Sequence, residues 1–391
     1  MYKIKKLNKI ATEGLEKFPL DKYDIGEEIS KPDAILLRSF KMHDMDLPDS
    51  LLCVGRAGAG VNNIPIEKCS EKGIVVFNTP GANANAVKEL VIAGLLLSSR
   101  DIAGGIAFSG TLKDKGAEVP GLVEKNKKAF GGQEIAGKTL GVIGVGKIGV
   151  MVANAAVDLG MEVIGYDPFI SVEAAWGLSR DVQRADGLDA LLAGADYISL
   201  HMPLSEDTKG MINADKFKAM KKGVRLMNFS RGGIVNNEDL KNAIDSGIVE
   251  RYVTDFPDDE LLNMEKVIAI PHLGASTQEA EKNCATMVAK QVRDFIETGR
   301  IKNSVNFPEC KLEQNSDHRL VIMNKNIPNM VGQISTILAK GNINIVEMIN
   351  KSKGDYACTV IDASDQPTED VIKEIMGIDG VVKVRALNLN K

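Results

Sequence analysis

The stretch 138–167 constrains the fold of this chain more than any other. It reads KTLGVIGVGKIGVMVANAAVDLGMEVIGYD. A short β-branched apolar run at 140–143 has the length of a buried strand, and a glycine-rich turn follows it directly. An apolar segment at helical spacing comes next, and a second apolar run ends in Asp167. This order of strand, glycine turn, helix, strand and acid is typical of a dinucleotide-binding unit.

The turn residues have separate physical roles. Gly144 permits a tight turn, Gly146 lets the backbone approach a pyrophosphate, and Gly149 lets the helix pack closely on the strand. Lys147 and Ile148 stand at the start of the helix, where unpaired N–H groups and the helix dipole attract phosphates. We therefore expect Gly144, Gly146, Lys147, Ile148 and Gly149 to contact the cofactor.

Asp167 selects between the two nicotinamide dinucleotides. Its carboxylate can accept hydrogen bonds from both ribose hydroxyls and would repel a 2′-phosphate. NAD is therefore expected in preference to NADP. A G-x-G-x-x-G turn alone could equally be a structural turn without a ligand, but here the strand, the helix and the acid are all in register.

Composition excludes several classes of protein. A chain of 391 residues with 44% apolar and 26% charged residues predicts two or three globular domains. The net charge of −5 argues against a nucleic-acid partner, and the apolar run 90–97 is too short to span a membrane. The first ten residues lack a signal-peptide pattern. Five scattered cysteines without metal-ligand spacing predict free thiols and no metal site. Together these features predict a soluble, cytoplasmic protein.

A second glycine-rich loop follows an apolar run near the N-terminus. The runs 34–37 and 51–54 resemble buried parallel strands, and the second continues as GRAGAGVNN at 55–63. Backbone N–H groups at the carboxyl end of such a strand can bind a ligand. Arg56 could pair with a carboxylate or a phosphate, although a structural turn with a surface arginine explains the pattern equally well.

Four successive predicted strands after the glycine turn end in chemically active residues. These are His201, Arg231, Asp255 and His272. Because the carboxyl ends of parallel strands meet at one edge of a sheet, we expect the four side chains to lie close to the cofactor. This convergence is a stronger indication of chemistry than any one of the residues.

The C-terminal part has a different pattern. A helix is predicted at 277–299, and 303–318 contains Pro308 and polar residues without periodicity, which is typical of a linker. From residue 319 the order strand, helix, strand, strand, helix, strand predicts a ferredoxin-like βαββαβ module.

Several motifs together resemble the D-isomer-specific 2-hydroxyacid dehydrogenases. They are the glycine turn with Asp167, NFSRGGIV at 228–235, Asp255 with Glu260, and PHLGAST at 271–277. The C-terminal module resembles an ACT domain. The resemblance implies an α/β protein with two Rossmann-like doubly wound parallel-sheet domains and a ferredoxin-like module. It also implies the following domains: substrate-binding at 1–97 and 275–310, NAD-binding at 98–274, a linker at 311–318 and an ACT domain at 319–391.

The resemblance also implies catalytic roles. His272 would be the acid/base, a task that suits imidazole because it can take up and return a proton near neutral pH. Glu260 would hydrogen-bond the far nitrogen of His272, and Arg231 would hold the substrate's carboxylate and carbonyl oxygen. The family pattern D-V-F-x-x-E-P appears here as DFPDDEL, so Asp259 is an alternative to Glu260.

Further binding residues follow from the same resemblance. Asp255 would bind the nicotinamide carboxamide and His201 would lie along the cofactor, together with Pro203, Thr208, Ser230 and Gly274. The expected substrate loop is Arg56, Ala57, Gly58, Ala59 and Gly60. A phosphorylated small 2-hydroxy acid is the favoured substrate. Another small 2-hydroxy acid, as in glyoxylate or hydroxypyruvate reduction, and an NAD-sensing binding protein on the same fold are the alternatives.

The ACT-like module suggests regulation. Related modules bind L-serine through polar residues near the first turn and before the second strand, where this chain has Asn324, Asn326 and Asn344. The usual Pro-Gly is Pro328-Asn329 here, and a frequent histidine position is Asn324. L-serine is thus an expected effector, and a homodimer or homotetramer is the expected assembly.

Overall fold

The structure, a computed structural model, describes residues 1–390. Its strands are β1 (Tyr2–Lys6), β2 (Tyr23–Gly26), β3 (Ala34–Leu37), β4 (Cys53–Arg56), β5 (Val75–Phe77), β6 (Thr139–Ile143), β7 (Glu162–Tyr166), β8 (Val182–Arg184), β9 (Tyr197–Leu200), β10 (Val224–Asn228), β11 (Val249–Thr254), β12 (Val267–Ala269), β13 (His318–Lys325), β14 (Ile345–Lys353), β15 (Tyr356–Ala363) and β16 (Val381–Asn388).

The helices complete the element order. They are α1 (Thr12–Leu15), α2 (Ile66–Glu71), α3 (Ala84–Ser99), α4 (Ile102–Gly110), α5 (Val119–Asn126), α6 (Lys147–Asp158), α7 (Val172–Gly177), α8 (Leu188–Gly194), α9 (Ala214–Ala219), α10 (Asn237–Asp245), α11 (Asp259–Leu262), α12 (Gln278–Thr298), α13 (Met330–Lys340) and α14 (Glu369–Met376). Short 3₁₀ turns lie at Gly116–Glu118 and Lys127–Phe130. In the described part of the chain, no helix has both the length and the apolar character needed to cross a bilayer.

The chain forms two compact units. One contains Met1–Asn83 and the segment that begins at Gln278, and the other is Ala84–Thr277. The first boundary therefore lies before α3, where the sequence predicted it after residue 97. The reason is that α3 buries Val87, Val91 and Leu95 in the same core as Val152 and Met227. The second boundary lies three residues later than the predicted 274/275.

The first unit contains a parallel sheet in the order β2-β1-β3-β4-β5. Strands β3 and β5 are short apolar runs, and all of their residues are buried. The long helix α12 buries Ala285, Val288 and Val292 in the core that also contains Ile4 and Phe77. A doubly wound parallel sheet was predicted here and is confirmed.

The second unit contains a seven-stranded parallel sheet in the order β12-β11-β10-β9-β6-β7-β8. The chain enters at β6, continues outward through β7 and β8, and then returns to add β9 to the other side of β6. The order of strands thus reverses at the β6/β9 pair. In open parallel sheets, ligands bind at the carboxyl ends of strands beside such a switch point.

The C-terminal residues form the predicted βαββαβ module. Strands β13 to β16 make an antiparallel sheet in the order β14-β15-β13-β16, which is the ferredoxin-like arrangement. One face of this sheet packs on α13 and α14 through a core that includes Leu320, Ile322, Ile334 and Ile375.

The opposite face of the same sheet is also covered, which the sequence analysis missed. Val321, Met323 and Val360 are buried in one core with Ile4 and Phe295 of the first unit. Strand β13 is apolar at both odd and even positions, and such a strand requires apolar cover on both faces. The module is therefore part of the first compact unit.

The segment predicted as a linker, 303–318, packs into this shared core. Its side chains Phe307, Cys310 and Leu312 are buried, and Cys310 pairs with Ile301 in an isolated β-bridge. The segment has no helix or longer strand, in keeping with the absence of periodicity, but it is packed because these apolar side chains fill the space between the two sheets of the first unit.

Candidate active site

The turn between β6 and α6 is built around Gly144. Its φ angle is +88°, and a Cβ at this position would lie 2.8 Å from the carbonyl carbon and oxygen of His201. A side chain would therefore be both strained and obstructed. Gly146 precedes α6 in an extended conformation, with no atom within 4 Å of where its Cβ would be. The open space at Gly146 and the start of α6 at Lys147 suit a phosphate group.

Asp167 is fixed beside this turn. Its Oδ2 accepts a hydrogen bond from the Val145 N–H at 2.9 Å, and its Oδ1 accepts one from the Phe169 N–H at 2.9 Å. A cavity of about 600 Å³ adjoins the carboxylate, between Gly165, Val182 and Ala185. A half-buried carboxylate at the rim of such a cavity fits the ribose of a dinucleotide.

His201 follows β9 and is a neutral group in this environment. Burial lowers the pKa of its imidazole to about 4, and its Nε2 lies 2.8 Å from the Ser199 hydroxyl. The loop after it is fixed by Thr208, whose hydroxyl donates to the Pro203 carbonyl at 2.7 Å and accepts from the Ser205 N–H. These residues thus supply a rigid, uncharged wall beside the glycine turn.

Ser230 and Arg231 follow β10. The Ser230 hydroxyl donates to the Leu200 carbonyl at 2.8 Å, which ties the ends of β9 and β10 together. The buried Asn228 side chain donates to the Arg231 carbonyl at 2.8 Å and accepts from the Ser230 N–H. Arg231 itself is exposed and forms no ion pair within residues 1–390. Its guanidinium is therefore available to an anionic ligand at this sheet edge.

Asp255 is the most unusual group of the site. It lies at the end of β11 with 1% of its surface exposed, and neither carboxylate oxygen has a hydrogen-bond donor in good geometry within residues 1–390. Loss of solvent raises its pKa, while the nearby His272, the Gly274 N–H and Arg231 act in the opposite direction. A buried carboxylate without a donor is costly, so this position fits the amide donor of a nicotinamide carboxamide.

His272 follows β12 and lies exposed beside Asp255. Its ring packs on Phe256 with the ring centroids 4.6 Å apart, and the buried Gly274 lies next to the Asp255 carboxylate. The ends of the neighbouring strands β10, β11 and β12 thus bring Arg231, Asp255 and His272 together. This is the convergence that the sequence predicted for these three residues.

Glu260 does not adopt the predicted pairing. Its Oε2 accepts a hydrogen bond from Asn237 Nδ2 at 3.0 Å, and the same amide donates to Asp258 Oδ2 at 2.9 Å. No hydrogen bond joins Glu260 to His272 in the described part of the chain. The physical reason is that Asn237, the first residue of α10, offers Glu260 a donor. Nothing in the sequence indicated this asparagine.

The loop Arg56–Gly60 lies in the first unit, after β4. Arg56 donates through Nε to the Arg38 carbonyl at 2.9 Å and through Nη1 to the Gly60 carbonyl. Asn78, which the sequence analysis did not select, donates to the Ala59 carbonyl at 2.6 Å, and the Ala57 N–H donates to the Leu37 carbonyl. Gly58 accepts from the Thr79 N–H. Arg56 therefore holds the loop in place through these hydrogen bonds and also gives it a positive charge.

The three asparagines expected to bind an effector do not converge. Asn324 is buried and donates to the Lys325 carbonyl at 2.7 Å, and Asn326 donates to the Gly354 carbonyl. Asn344 lies beside Ser364, at the opposite end of the sheet. The strands β13 and β14 run in the same direction on either side of β15, so the end of one and the start of the other are about 20 Å apart. The three residues therefore do not form one site within a single module, and their role in binding an effector at a domain–domain interface stays a prediction.

Comparison with known proteins shows the family to which the chain belongs. Residues 110–274 match the family model described as D-isomer specific 2-hydroxyacid dehydrogenase, NAD binding domain. A putative D-3-phosphoglycerate dehydrogenase of Schizosaccharomyces pombe is 32% identical over 392 residues, which cover 92% of this chain and 80% of the relative. The chain belongs to the D-isomer specific 2-hydroxyacid dehydrogenase family. The predicted cofactor, NAD, is confirmed by the domain that matches.

Longer members of the family are also similar. The D-3-phosphoglycerate dehydrogenase of Methanocaldococcus jannaschii is 35% identical over 339 residues, covering 84% of this chain and 62% of that protein. The human D-3-phosphoglycerate dehydrogenase is 36% identical over 301 residues, which cover 75% of this chain and 54% of the human protein. The chain thus spans about three-fifths of the length of such relatives.

Solved structures support the same family fold. An NAD⁺-bound 3-phosphoglycerate dehydrogenase of Entamoeba histolytica has a TM-score of 0.60 at 27% identity, covering 78% of this chain and 98% of that one. A glyoxylate reductase from Paecilomyes thermophila has a TM-score of 0.62 at 25% identity, with the same coverage. Enzymes with different substrates therefore share this fold, so the fold alone does not select the substrate.

Proposed function

We propose that this protein oxidises D-3-phosphoglycerate to 3-phosphohydroxypyruvate with NAD, the first step of L-serine biosynthesis. The observation that carries the chemistry is the grouping of Arg231, Asp255 and His272 at the ends of β10, β11 and β12. The substrate is inferred from relatives that are named D-3-phosphoglycerate dehydrogenase and are 31–36% identical.

The proposed reaction begins with the alcohol of the substrate. His272 takes the hydroxyl proton at a ring nitrogen while the carbon loses its hydride. NAD, when bound, accepts that hydride. Arg231 holds the substrate carboxylate, and in the reverse direction its charge stabilises the developing negative oxygen. The exposed position of both side chains leaves them accessible to a substrate.

Asp255 has a positioning role in this proposal. Its buried carboxylate accepts a hydrogen bond from the carboxamide and so sets which face of the nicotinamide is presented. The negative charge also stabilises the imidazolium that His272 becomes after it takes a proton.

The acid that orients His272 is assigned to α11. We propose Glu260, whose side chain would exchange its hydrogen bond with Asn237 for one with the imidazole. Asp259 is the neighbouring alternative. This exchange costs little free energy because the Glu260 side chain is exposed, so water can replace the hydrogen bond that Asn237 loses.

The loop Arg56–Gly60 is proposed to hold the substrate's anionic groups. Backbone N–H groups of Gly58 to Gly60 would bind the carboxylate, and the Arg56 guanidinium would supply positive charge for the phosphate. Arg38, another candidate cation, is paired with Glu281 at 2.6 Å and is less suited to this role.

Regulation and assembly belong to the same proposal. We assign the C-terminal module to the ACT type, with L-serine as effector, and expect a homodimer or homotetramer. The separation of Asn344 from Asn324 and Asn326 means that one module cannot supply all three to one ligand, so a second copy would have to contribute. Calorimetric titration with L-serine tests this, and absence of both heat and inhibition would refute it. Five free cysteines support a cytoplasmic location.

A substrate panel tests the enzymatic proposal. Purified protein with NAD is assayed on 3-phosphoglycerate, glycerate and lactate, and with NADH on glyoxylate and hydroxypyruvate. We expect the highest kcat/KM for 3-phosphoglycerate. A preference for an unphosphorylated acid would indicate a different 2-hydroxyacid dehydrogenase. Binding of NADH without turnover of any substrate would indicate an NAD-sensing protein.

A further inference from the structure

Two buried cysteines are in contact where the C-terminal module meets the segment after α12. Cys310 Sγ donates to the Cys358 carbonyl at 3.6 Å, and both side chains are fully buried in the same apolar core. Cys310 lies in the segment that follows α12, and Cys358 lies on β15 of the C-terminal module. The two residues are 48 positions apart in the sequence.

We infer that Cys310 and Cys358 form a redox-active dithiol site, which a small disulfide oxidises to a Cys310–Cys358 disulfide. The new bond would fasten the C-terminal module to the segment after α12. It would close a loop that contains β13, α13 and β14. Such a bond stabilises the protein because it restricts the unfolded chain.

The surrounding contacts hold the two sulfur atoms together before any bond forms. Phe307 and Tyr356 pack edge to face with ring centroids 5.6 Å apart, and Lys353 Nζ donates to the Ser304 carbonyl at 2.9 Å. Both contacts join the same segment to the same hairpin, β14–β15, as the thiol pair does. These contacts therefore keep the segment that contains Cys310 against the hairpin that contains Cys358.

The other three cysteines lack this chemistry and are natural controls. Burial raises the pKa of the Cys53 thiol to about 12 and of the Cys69 thiol to about 12, and it also raises that of Cys284. By contrast, the hydrogen bond from the Cys358 thiol lowers the pKa of Cys310. A thiolate is the attacking species in disulfide exchange, so Cys310 is the nucleophile of the pair.

The reaction balances with oxidised glutathione as the oxidant. The Cys310 thiolate attacks one glutathione sulfur, a mixed disulfide forms, and one glutathione leaves as a thiolate. The Cys358 thiol loses its proton and attacks the Cys310 sulfur, and the second glutathione leaves. The two cysteines have then lost two protons and two electrons, and both glutathiones are reduced.

Access to the buried sulfurs requires local opening. The segment 301–317 contains only isolated β-bridges and no helix or longer strand, and the proposal requires its buried side chains to leave the core transiently. Oxidation should therefore be slow in buffer and faster in urea concentrations well below the unfolding transition.

Peptide mapping of the full chain tests the inference. The protein is incubated with excess oxidised glutathione, remaining thiols are blocked, and tryptic peptides are analysed without reduction. We expect a linked pair of 303–311 with 354–373, loss of two of the five free thiols, and a higher melting temperature that dithiothreitol reverses. Cys53→Ser serves as the matched control and should behave as the parent chain.

Variants distinguish a specific site from general oxidation. Cys310→Ser should abolish the linked peptide and the rise in melting temperature, and Cys358→Ala should leave a glutathione adduct on Cys310. The inference is overturned if oxidation in low urea yields no 303–311/354–373 link, or if Cys53, Cys69 or Cys284 is consumed first. These readouts do not depend on catalytic activity, so they stand apart from the proposed function.

Discussion

Arg319 and Asp362 form a bidentate ion pair that is almost completely buried. The distances are 2.7 Å for Nε–Oδ1 and 3.0 Å for Nη2–Oδ2, and the side chains are 3% and 0% exposed. The same guanidinium donates to the carbonyls of Thr298, at the end of α12, and Glu313. One side chain thus links β13 and β15 to the helix that crosses the first sheet, and Arg385 supports the link by donating to the Phe295 and Ile296 carbonyls.

Replacing Arg319 should destabilise the first unit strongly. Arg319→Met leaves the buried Asp362 carboxylate without its counter-ion, with the Asn315 N–H as its remaining donor, and removes two hydrogen bonds to backbone carbonyls. We therefore expect a loss of about 3–5 kcal/mol in the free energy of unfolding. Urea denaturation measures this. The exposed pair Lys241–Asp245 is the control, since Lys241→Met should change the free energy by less than about 0.5 kcal/mol. Equal effects of the two changes would contradict the structural role of Arg319.

Alanine substitutions at Gly144 and Gly146 should affect stability differently while both weaken cofactor binding. Gly144→Ala introduces a side chain at positive φ against the His201 carbonyl, so it should lower stability by about 1–3 kcal/mol and weaken NADH binding at least tenfold. Gly146→Ala has free space in the protein, so it should keep the stability and still weaken NADH binding, because its methyl group occupies the phosphate position. Calorimetry measures both quantities. Normal affinity in Gly146→Ala would refute the phosphate site.

The Asp255 carboxylate should lower the stability of the free protein and strengthen cofactor binding. Asp255→Asn removes a buried charge that has no donor in good geometry, so the free protein should gain about 1 kcal/mol of stability near pH 7. The pKa of Asp255 is raised in the folded protein, so the folded state binds this proton more tightly than the unfolded chain does. The free energy of unfolding should therefore decrease as the pH rises. The same change should weaken NAD binding by about tenfold, because a charge-assisted hydrogen bond is lost. A less stable Asp255→Asn protein would show that the carboxylate has a structural partner.

His201 should make the second unit sensitive to acid. Its pKa is lowered to about 4 in the folded protein, from an ordinary value of 6.5, so the unfolded chain binds the proton first. Stability should therefore fall as pH decreases from 6.5 to 4, by up to about 3 kcal/mol. His201→Gln should flatten this part of the pH profile, measured by urea denaturation. The exposed His43 provides the control, because His43→Gln should leave the profile unchanged.

The acid that orients His272 can be identified by two isosteric changes. Glu260→Gln should lower kcat by about 10²-fold and alter its pH profile, with NADH affinity preserved, because the imidazolium loses its stabilising charge. Asp259→Asn should have little effect. The opposite pattern would assign the role to Asp259, and no effect of either would mean that Asp255 alone stabilises His272.

Much of the fold follows from local pattern. Strands β6 and β9 are largely buried apolar runs, and β7 is an apolar run that is partly buried. The turns after these strands contain the residues whose chemistry the sequence indicates. Strands β1 and β8 were missed for physical reasons. In β1, which reads YKIKK, only Ile4 is buried, and β8 is a short edge strand with exposed polar residues. Neither has the apolar run on which strand prediction depends.

The local sequence was sufficient to predict the cofactor-binding unit. Glycines at 144, 146 and 149 and the acid at 167 are local requirements of one turn, so their spacing alone predicts the dinucleotide and the preference for NAD. The contacts between distant groups became visible in the folded protein: Glu260 with Asn237, Arg319 with Thr298, and Cys310 with Cys358. The fold also separates Asn344 from Asn324. Such contacts depend on the path of whole helices and strands between residues far apart in the chain, which no local pattern encodes.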